Sequence, residues 1–291
     1  MAWRTTEDIE TYLAAAGAFL RSRPAAHTVP LTVAETLRTA PRVYDGPDTP
    51  LYGWWQPADG PVAGALLQTP PHPVVLATMP APAAAALPAA LIATGRSFPG
   101  VTGGRAVVEG FAEAWRRHTG AAPRVQMRQR LYRLGTLRPP HSPPPGGPRV
   151  ATPPDRDLLI EWYEMFSAEA GTVSGARRSA VDDRIGYGGF VLWEADGTPV
   201  AFAGRSRVVA GMGRVGPVFT PPAHRRRGFG AAVTAAVTQA ALAGGAREVV
   251  LFTDLTNPTS NSIYQQIGYQ PVDDHLMVSF YGRPGTGRSM P

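Results

Sequence analysis

The 291-residue sequence predicts a mixed α/β fold divided into two domains. Segments with apolar residues at helical spacing alternate with short runs of strand-forming residues that are bounded by glycine and proline turns. One stretch, residues 138–148, contains Pro-Pro, Pro-Pro-Pro and Gly-Gly-Pro runs that exclude a helix or a central strand. We therefore predict domains over residues 1–137 and 149–291, with residues 138–148 as the linker.

The first half begins with a predicted helix over residues 7–23. Its apolar residues recur at helical spacing from Ile9 to Leu20, Thr5 or Thr6 is available as a cap, and Pro24 ends it. The elements that follow are a helix over 31–38, strands over 51–56, 62–69 and 74–79, helices over 83–94 and 106–118, and a strand over 124–134.

The second half shows the same rough order of helices, three strands and a helix. Its predicted elements are helices over 155–169 and 179–185, strands over 189–194, 199–208 and 212–219, a helix over 229–242, a strand over 248–253, a helix over 260–267 and a strand over 276–280. The turn Asp196-Gly197 indicates a hairpin. No residue pattern repeats between the halves, so an internal duplication is only a hypothesis.

Composition excludes several classes of site and of protein. The chain has no cysteine, which excludes disulfides, thiolate zinc sites and a cysteine nucleophile, and we predict no metal site. The first twenty residues lack the order of a signal peptide, and no apolar stretch approaches the eighteen residues of a membrane span. We expect a soluble cytoplasmic protein without a membrane partner.

The net charge of +6 is concentrated in the first half. Residues 1–150 carry 15 arginines against 9 acidic residues, with the excess between Arg116 and Arg138. A nucleic-acid surface would interleave aromatic side chains with this charge, but Tyr132 is the one aromatic residue there. We interpret the stretch as a solvated or anion-facing surface and predict no nucleic-acid partner.

A second arginine cluster coincides with a glycine turn, residues His224–Gly230, which we call the arginine-glycine turn. It follows a short apolar run and the pair Pro221-Pro222, and it precedes the predicted helix that begins at Phe229. The first-turn N–H groups of a helix lack helical partners, and the helix dipole adds to their positive field. The pattern predicts a phosphate or pyrophosphate site, with a merely solvated turn as the alternative.

Two blocks of the second half together resemble the GNAT superfamily of acetyl-CoA-dependent N-acetyltransferases. The segment Val218–Pro222, followed by Arg225-x-x-Gly228-x-Gly230, resembles the family's acyl-CoA pyrophosphate loop, although Arg226 stands where the family often has glycine. The segment Asn257–Tyr269 resembles the family's closing Asn…Tyr-x-x-x-Gly-aromatic block. The resemblance covers about residues 150–282 and implies GNAT-like domains, each a mixed, mostly antiparallel twisted sheet flanked by helices.

The resemblance also implies a mechanism, with acetyl-CoA as co-substrate and a primary amine of a small molecule or peptide as acceptor. The amine would attack the thioester directly, the N–H of Val218 would polarise the thioester carbonyl, and Tyr264 would protonate the leaving thiolate. The residues implied in cofactor binding are Val218, Phe219, Thr220, Arg225, Arg226, Arg227, Gly228, Phe229, Gly230, Asn257 and Asn261.

Each assignment has a structural alternative. Tyr264 could be a packed aromatic, and Asn257 and Asn261 could cap the short helix. His224 is interpreted as a loop residue rather than a base. The general base is left open among the carboxylates Glu164, Glu169 and Asp254.

The first half lacks the Arg-x-x-Gly-x-Gly pattern, and Val101–Val107 is its nearest glycine turn before a helix. It resembles the degenerate GNAT-like domain of tandem family members, which would lie on the acceptor side. An unrelated α/β substrate-binding cap is the alternative. The leading functional hypothesis is a small-molecule or peptide N-acetyltransferase. The alternatives are a protein N-terminal acetyltransferase and a non-catalytic acyl-CoA sensor. The oligomeric state, a homodimer included, is left open.

Overall fold

The computed structural model describes residues 2–44, 48–171 and 178–281 and confirms the mixed α/β class, with mostly antiparallel strands flanked by helices. The described residues form two compact units. The first contains residues 2–30, 48–129 and 273–281, and the second contains residues 31–44, 130–171 and 178–272. None of the described helices is both long and apolar enough to cross a membrane.

The order of elements in the first half is strand, two helices, three strands, helix, strand, helix, strand. These elements are β1 Ala2–Thr6, α1 Ile9–Arg21, α2 Thr28–Thr39, β2 Leu51–Gln56, β3 Gly64–Gln68, β4 Val74–Leu76, α3 Ala81–Ala93, β5 Val101–Gly104, α4 Arg105–Thr119 and β6 Ala122–Leu134.

The second half repeats this order without change. Its elements are β7 Gly147–Val150, α5 Arg156–Ala170, α6 Arg178–Gly186, β8 Phe190–Ala195, β9 Thr198–Arg205, β10 Met212–Phe219, α7 Phe229–Ala243, β11 Glu248–Asp254, α8 Pro258–Gln266 and β12 Tyr269–Tyr281. The structure thus shows an element repeat where the residues alone gave only a rough likeness. Each α-helix and β-strand of one half has a counterpart in the other.

The last strand of each repeat helps to build a unit that consists mainly of the other repeat. The strand order is β1-β2-β3-β4-β5-β12 in the first unit and β6-β11-β10-β9-β8-β7 in the second. In the first unit β12 pairs antiparallel with β5, and Val278 lies opposite Val101. The units therefore divide the chain inside β6 and β12, and they also assign residues 31–44, with most of α2, to the second unit, whereas no division falls at residues 138–148.

Most predicted elements are present, and the differences lie at the edges of the sheets. β2 and β10 have the predicted bounds, whereas β1 and β7 were not predicted at all. β1 and β7 are short edge strands without a continuous apolar face. Because Thr5 and Thr6 belong to β1, the predicted cap of α1 is wrong: Asp8 caps it and accepts from the Thr11 N–H at 2.7 Å.

Each unit has its own core. In the first unit the core surrounds the buried side chains of Leu66, Leu87 and Phe111. In the second unit, Ala203 lies in a core beneath α7 and α8, while its neighbour Phe202 lies in a core beneath α5 and α6. Since successive strand residues face opposite sides of a sheet, this sheet has helices on both faces.

Candidate functional site

The arginine-glycine turn connects β10 to α7 through two residues with left-handed backbone conformations. Gly228 caps α7 with φ of 84°, and Arg226 has φ of 60°. Pro222 starts a 3₁₀ turn that ends at His224. Positive φ is natural for glycine and strained for arginine, and such strain concentrates at ligand-binding turns.

The start of α7 offers backbone donors to an anion. The first hydrogen bond of the helix runs from the Ala232 N–H to the Gly228 carbonyl at 3.1 Å. The N–H groups of Phe229, Gly230 and Ala231 therefore have no acceptor within the helix. The first turn of α7 contains no acidic side chain that would compete for them. Phe229 is buried in the core and fixes this end of the helix. The geometry therefore matches a phosphate site.

Arg225 ties the turn to its surroundings. Its Nε donates to the Thr220 carbonyl at 2.8 Å, and its Nη2 contacts both carboxylate oxygens of Glu169 at 2.7 and 2.8 Å. The guanidinium also lies over the Phe219 ring at 5.7 Å. Arg225 is therefore held in place, whereas Arg226 is an exposed charge beside it.

Arg227 is exposed as well, and its guanidinium lies over the ring of Phe229 at 5.0 Å. Neither Arg226 nor Arg227 forms a salt bridge with the part of the chain that the structure describes. Both charges are thus available at the mouth of the turn.

β10 and β11 separate before they end. They pair in parallel from Met212–Glu248 to Val215–Leu251, but β10 continues to Phe219 and β11 to Asp254. The register of β10 against β9 shifts between Val215 and Val218, around the cis peptide Gly216-Pro217. Bulges of this kind bend a strand and occur beside active sites. The two strands therefore diverge at their carboxyl ends, beside the bulge in β10.

Tyr264 lies on α8 with 8% of its surface exposed, in the same core as Phe229. Burial raises its pKa to about 12, although a hydrogen bond with Ser260 lowers it. Its ring meets Tyr269 edge to face at 6.3 Å, and the Tyr269 hydroxyl is hydrogen-bonded to Thr238 Oγ1 at 2.8 Å. Tyr264 therefore stays protonated at neutral pH, so it can donate a proton but cannot act as a base.

The asparagines of the second block fix α8 to the end of β11. Asn257 caps the helix, since its Oδ1 accepts from the Ser260 N–H at 3.0 Å. Asn261 Nδ2 donates to the carbonyls of Asp254 and Asn257, each at 2.8 Å, and its Oδ1 accepts from the Tyr132 hydroxyl at 2.9 Å. The Asn261 amide thus has protein partners at both ends, and its part in cofactor binding stays a prediction.

Tyr132 is a site residue that sequence reasoning missed. It is fully buried, and its hydroxyl donates to Asn261 and accepts from Gln265 Nε2 at 3.1 Å. In the sequence, Tyr132 is marked only by being the one aromatic residue of the basic stretch between Arg116 and Arg138. Its hydrogen bonds show that it supports α8.

The three carboxylates considered as bases lie in different settings. Glu169 is paired with Arg225, and Glu164 is exposed on α5. Asp254 accepts from the N–H and hydroxyl of Thr256, both at 2.7 Å, which makes it part of a turn. His224 Nδ1 is buried and has no hydrogen-bond partner among the described residues. Within the described residues, no three His, Cys, Asp or Glu side chains are grouped so that they could hold a metal ion.

The counterpart of α7 in the first repeat is α3, and its first turn offers fewer backbone donors. Pro80 caps α3, and a second proline, Pro82, follows in its first turn where an N–H would be needed. Val101–Val107, the glycine turn of the first half, forms β5 and the start of α4, which are the counterparts of β11 and α8. The anion site therefore has no equivalent at the corresponding position of the first repeat.

Comparisons with known proteins agree with this geometry. Residues 156–269 match the profile of the acetyltransferase (GNAT) family. A GCN5-related N-acetyltransferase from Kribbella flavida is 26% identical over 76% of this chain and 88% of its own, with a TM-score of 0.56. No curated protein matches the sequence.

Two further structures share the fold over nearly the whole chain. A GCN5-related N-acetyltransferase from Sphaerobacter thermophilus is 18% identical, covers 95% of this chain and 94% of its own, and has a TM-score of 0.61. A tandem GNAT protein from the clavulanic acid biosynthesis pathway is 14% identical, covers 95% and 98%, and has a TM-score of 0.57. Residues 156–269 of this chain therefore form a domain of the acetyltransferase (GNAT) family.

Proposed function

We propose that this protein transfers an acetyl group from acetyl-CoA to a primary amine of a small molecule or peptide. The proposal rests on two features that occur together. The start of α7 has backbone N–H donors without helical acceptors, and the ends of β10 and β11 are separated. The first feature suits a pyrophosphate, and the second suits an extended pantetheine chain. The proposed cofactor residues remain those of the arginine-glycine turn, the end of β10, and Asn257 and Asn261.

Substrate positioning supplies most of the proposed catalysis. Pantetheine amides would pair with the backbone of Val218 and Thr220, which would bring the thioester to the bulge in β10. The Val218 N–H would then polarise the thioester carbonyl, and the amine would attack directly without a covalent enzyme intermediate. The residues of the first repeat would bind no acyl-CoA, because Pro80 and Pro82 occupy the start of α3.

Tyr264 is the proposed general acid. Burial keeps its phenol protonated, and it belongs to the core that Val218 packs against. The same burial supports one alternative, a non-catalytic acyl-CoA sensor in which Tyr264 only packs. Turnover separates the two functions, because a sensor binds acetyl-CoA without consuming it.

The test is release of CoA from acetyl-CoA in the presence of a broad panel of amines. A thiol reagent detects CoA without background, because the chain contains no cysteine. Tyr264→Phe should lower kcat by on the order of a hundredfold, as expected for loss of a general acid, and leave the Kd for acetyl-CoA unchanged.

Tyr269→Phe is the matched control, since it removes a buried phenol that bonds to Thr238 rather than to the substrate. It should lower the melting temperature and retain turnover. Wild-type kcat in Tyr264→Phe would exclude Tyr264 as the acid. Binding of acetyl-CoA without CoA release from any amine would favour the sensor.

A further inference from the structure

Two arginines lie on the sheet face that α5 and α6 cover. Arg214 lies on β10 next to Val215, which packs in the core beneath α7, so Arg214 projects from the opposite face. Arg184 lies on α6, and its Nη1 donates to the carbonyl of Gly216 at 3.2 Å. Its guanidinium is 5.1 Å from the centre of the Phe190 ring. Both side chains are partly buried.

Two other arginines of this region have carboxylate partners, whereas Arg205 donates to the carbonyls of Ser206 and Tyr187. Arg207 forms two hydrogen bonds of 2.7 Å with Asp183, and Arg149 forms bonds of 2.7 and 2.8 Å with Asp155. Arg214 differs, because its guanidinium forms no hydrogen bond or salt bridge with any residue that the structure describes.

The groups that face Arg214 are a second cation and phenols. Burial and then the charge of Arg184 lower the pKa of Arg214, while the phenols of Tyr44, Tyr163 and Tyr187 partly oppose them. Burial also lowers the pKa of Arg184, but the phenols of Tyr187, Tyr163 and Tyr44 outweigh burial, so that the pKa of Arg184 is raised overall. Neither Arg184 nor Arg214 forms a salt bridge with a carboxylate among the residues that the structure describes.

The two guanidinium groups are placed for the acceptor rather than for the cofactor. Arg184 contacts Gly216, the bulge at which the strands separate and to which the proposed thioester is brought. Arg214 precedes Gly216 by two residues, or about 7 Å of strand, whereas Phe219 at the pyrophosphate end is about 17 Å away. An anion held by the pair would therefore lie near the reacting amine and apart from the arginine-glycine turn.

We infer that Arg184 and Arg214 bind an anionic group of the acceptor, so that the substrate is an amine carrying a carboxylate or a phosphate. Guanidinium groups recognise both anions through paired N–H donors. The Tyr187 hydroxyl donates to the Arg205 carbonyl at 2.9 Å, so the two arginines are the donors to the anion. Arg184 donates to the Gly216 carbonyl and is hydrogen-bonded to Tyr187, and the guanidinium of Arg214 donates to no described residue, which leaves donors for a ligand. This inference rests on the proposed function and narrows its acceptor class.

The test compares matched acceptors in the CoA-release assay. Amino acids are paired with their C-terminal amides, and amino-sugar phosphates with the parent amino sugars, so each pair differs in one anion. The wild type should prefer the anionic member of one series by roughly tenfold to a hundredfold in kcat/KM, the range of a charged hydrogen bond. Which series shows the preference distinguishes a carboxylate from a phosphate.

Arg214→Met should remove the preference by raising KM for the anionic member, while kcat/KM for the neutral member stays unchanged. Arg214→Gln is the second variant, and thermal melting verifies that both are folded. Arg116→Gln, which removes an exposed arginine paired with Glu113 on α4, is the matched control and should retain the preference. Equal use of both members by the wild type, or equal losses for both in Arg214→Met, would overturn the inference and leave acetyl transfer intact.

If no acceptor reacts, the proposed function fails and direct binding decides the inference. Inorganic phosphate and acetate are then titrated by calorimetry with CoA present, so that the pyrophosphate site is occupied. Binding of either anion that is lost in Arg214→Met and kept in Arg116→Gln supports the anion site. Absence of binding, or identical binding by all three proteins, contradicts it.

Discussion

Gly228 is the residue whose backbone conformation determines where α7 begins. Its φ of 84° turns the chain into α7, and Gly245 at the other end of the helix has a nearly identical φ of 89°. Gly228→Asp adds left-handed strain of about 1–2 kcal/mol and also places a carboxylate beside the proposed pyrophosphate. It should therefore abolish binding of acetyl-CoA, as measured by calorimetry.

Gly245→Asp is the matched control for this strain. No atom lies within 4 Å of a Cβ added at Gly245, so the substitution costs backbone strain without a new contact. Its affinity for acetyl-CoA should equal that of the wild type. Unchanged affinity in Gly228→Asp as well would place the pyrophosphate away from α7.

The position of a residue within its element could be predicted from the sequence, whereas contacts between distant residues could not, and the roles of Gly228 and Tyr264 stay predictions. Gly228 follows from a turn before a helix, and Tyr264 from a block of neighbouring residues. Tyr132 reaches Asn261 across 129 positions of the chain. Arg184 on α6 and Arg214 on β10 likewise come close only when α6 packs on the sheet, so the sequence alone does not show that their charges interact.

At the scale of elements, a single carboxylate joins β7 to the start of α5. Asp155 accepts from Arg149 at 2.7 and 2.8 Å and from the N–H of Thr152 at 2.8 Å. The Arg149 hydrogen bonds, with those of Thr152, lower the pKa of Asp155 to about 2 against the desolvation that raises it. Because the folded pKa lies below the unfolded value, the stabilisation is present above about pH 4 and is lost as the pH falls towards 2.

Asp155→Asn should therefore destabilise the protein by about 2 kcal/mol at neutral pH, the free energy of a shift of nearly two units. Chemical denaturation at pH 7 and at pH 3 measures the difference, which should shrink at the lower pH. Asp182→Asn, which breaks the more exposed salt bridge with Arg156, is the control and should cost less than about 1 kcal/mol. A difference that does not depend on pH would contradict the assigned role.

Elements were predictable where periodicity and turn chemistry agree. The α7 helix begins at the predicted Phe229 because a glycine turn precedes a stripe of apolar residues. β7 contains Pro148 and Arg149 and shows no apolar alternation, so only its pairing with β8 makes it a strand. Such edge strands depend on a neighbour that the local sequence does not reveal.

At the scale of the whole molecule, the exchange of terminal strands makes the two halves of the chain depend on each other. β12 belongs to the second repeat, yet Leu276 and Val278 are buried in the core of the first unit. Burial of two such aliphatic side chains contributes roughly 1.5–3 kcal/mol each, before the strand hydrogen bonds are counted. That is a large share of the 5–15 kcal/mol that typically stabilises a domain.

A chain divided at residue 140 should therefore not behave as two independent domains. The fragment 1–140 lacks β12 and exposes the edge of β5, so expressed alone it should aggregate or lack cooperative unfolding by circular dichroism. Coexpression with 141–291 should restore a soluble 1:1 complex, because β5 regains its partner strand. A protease site inserted within residues 138–148 is the control, since cleavage after folding leaves both strands paired and should preserve the melting temperature. Cooperative unfolding of fragment 1–140 on its own would show that β12 is dispensable to the first unit.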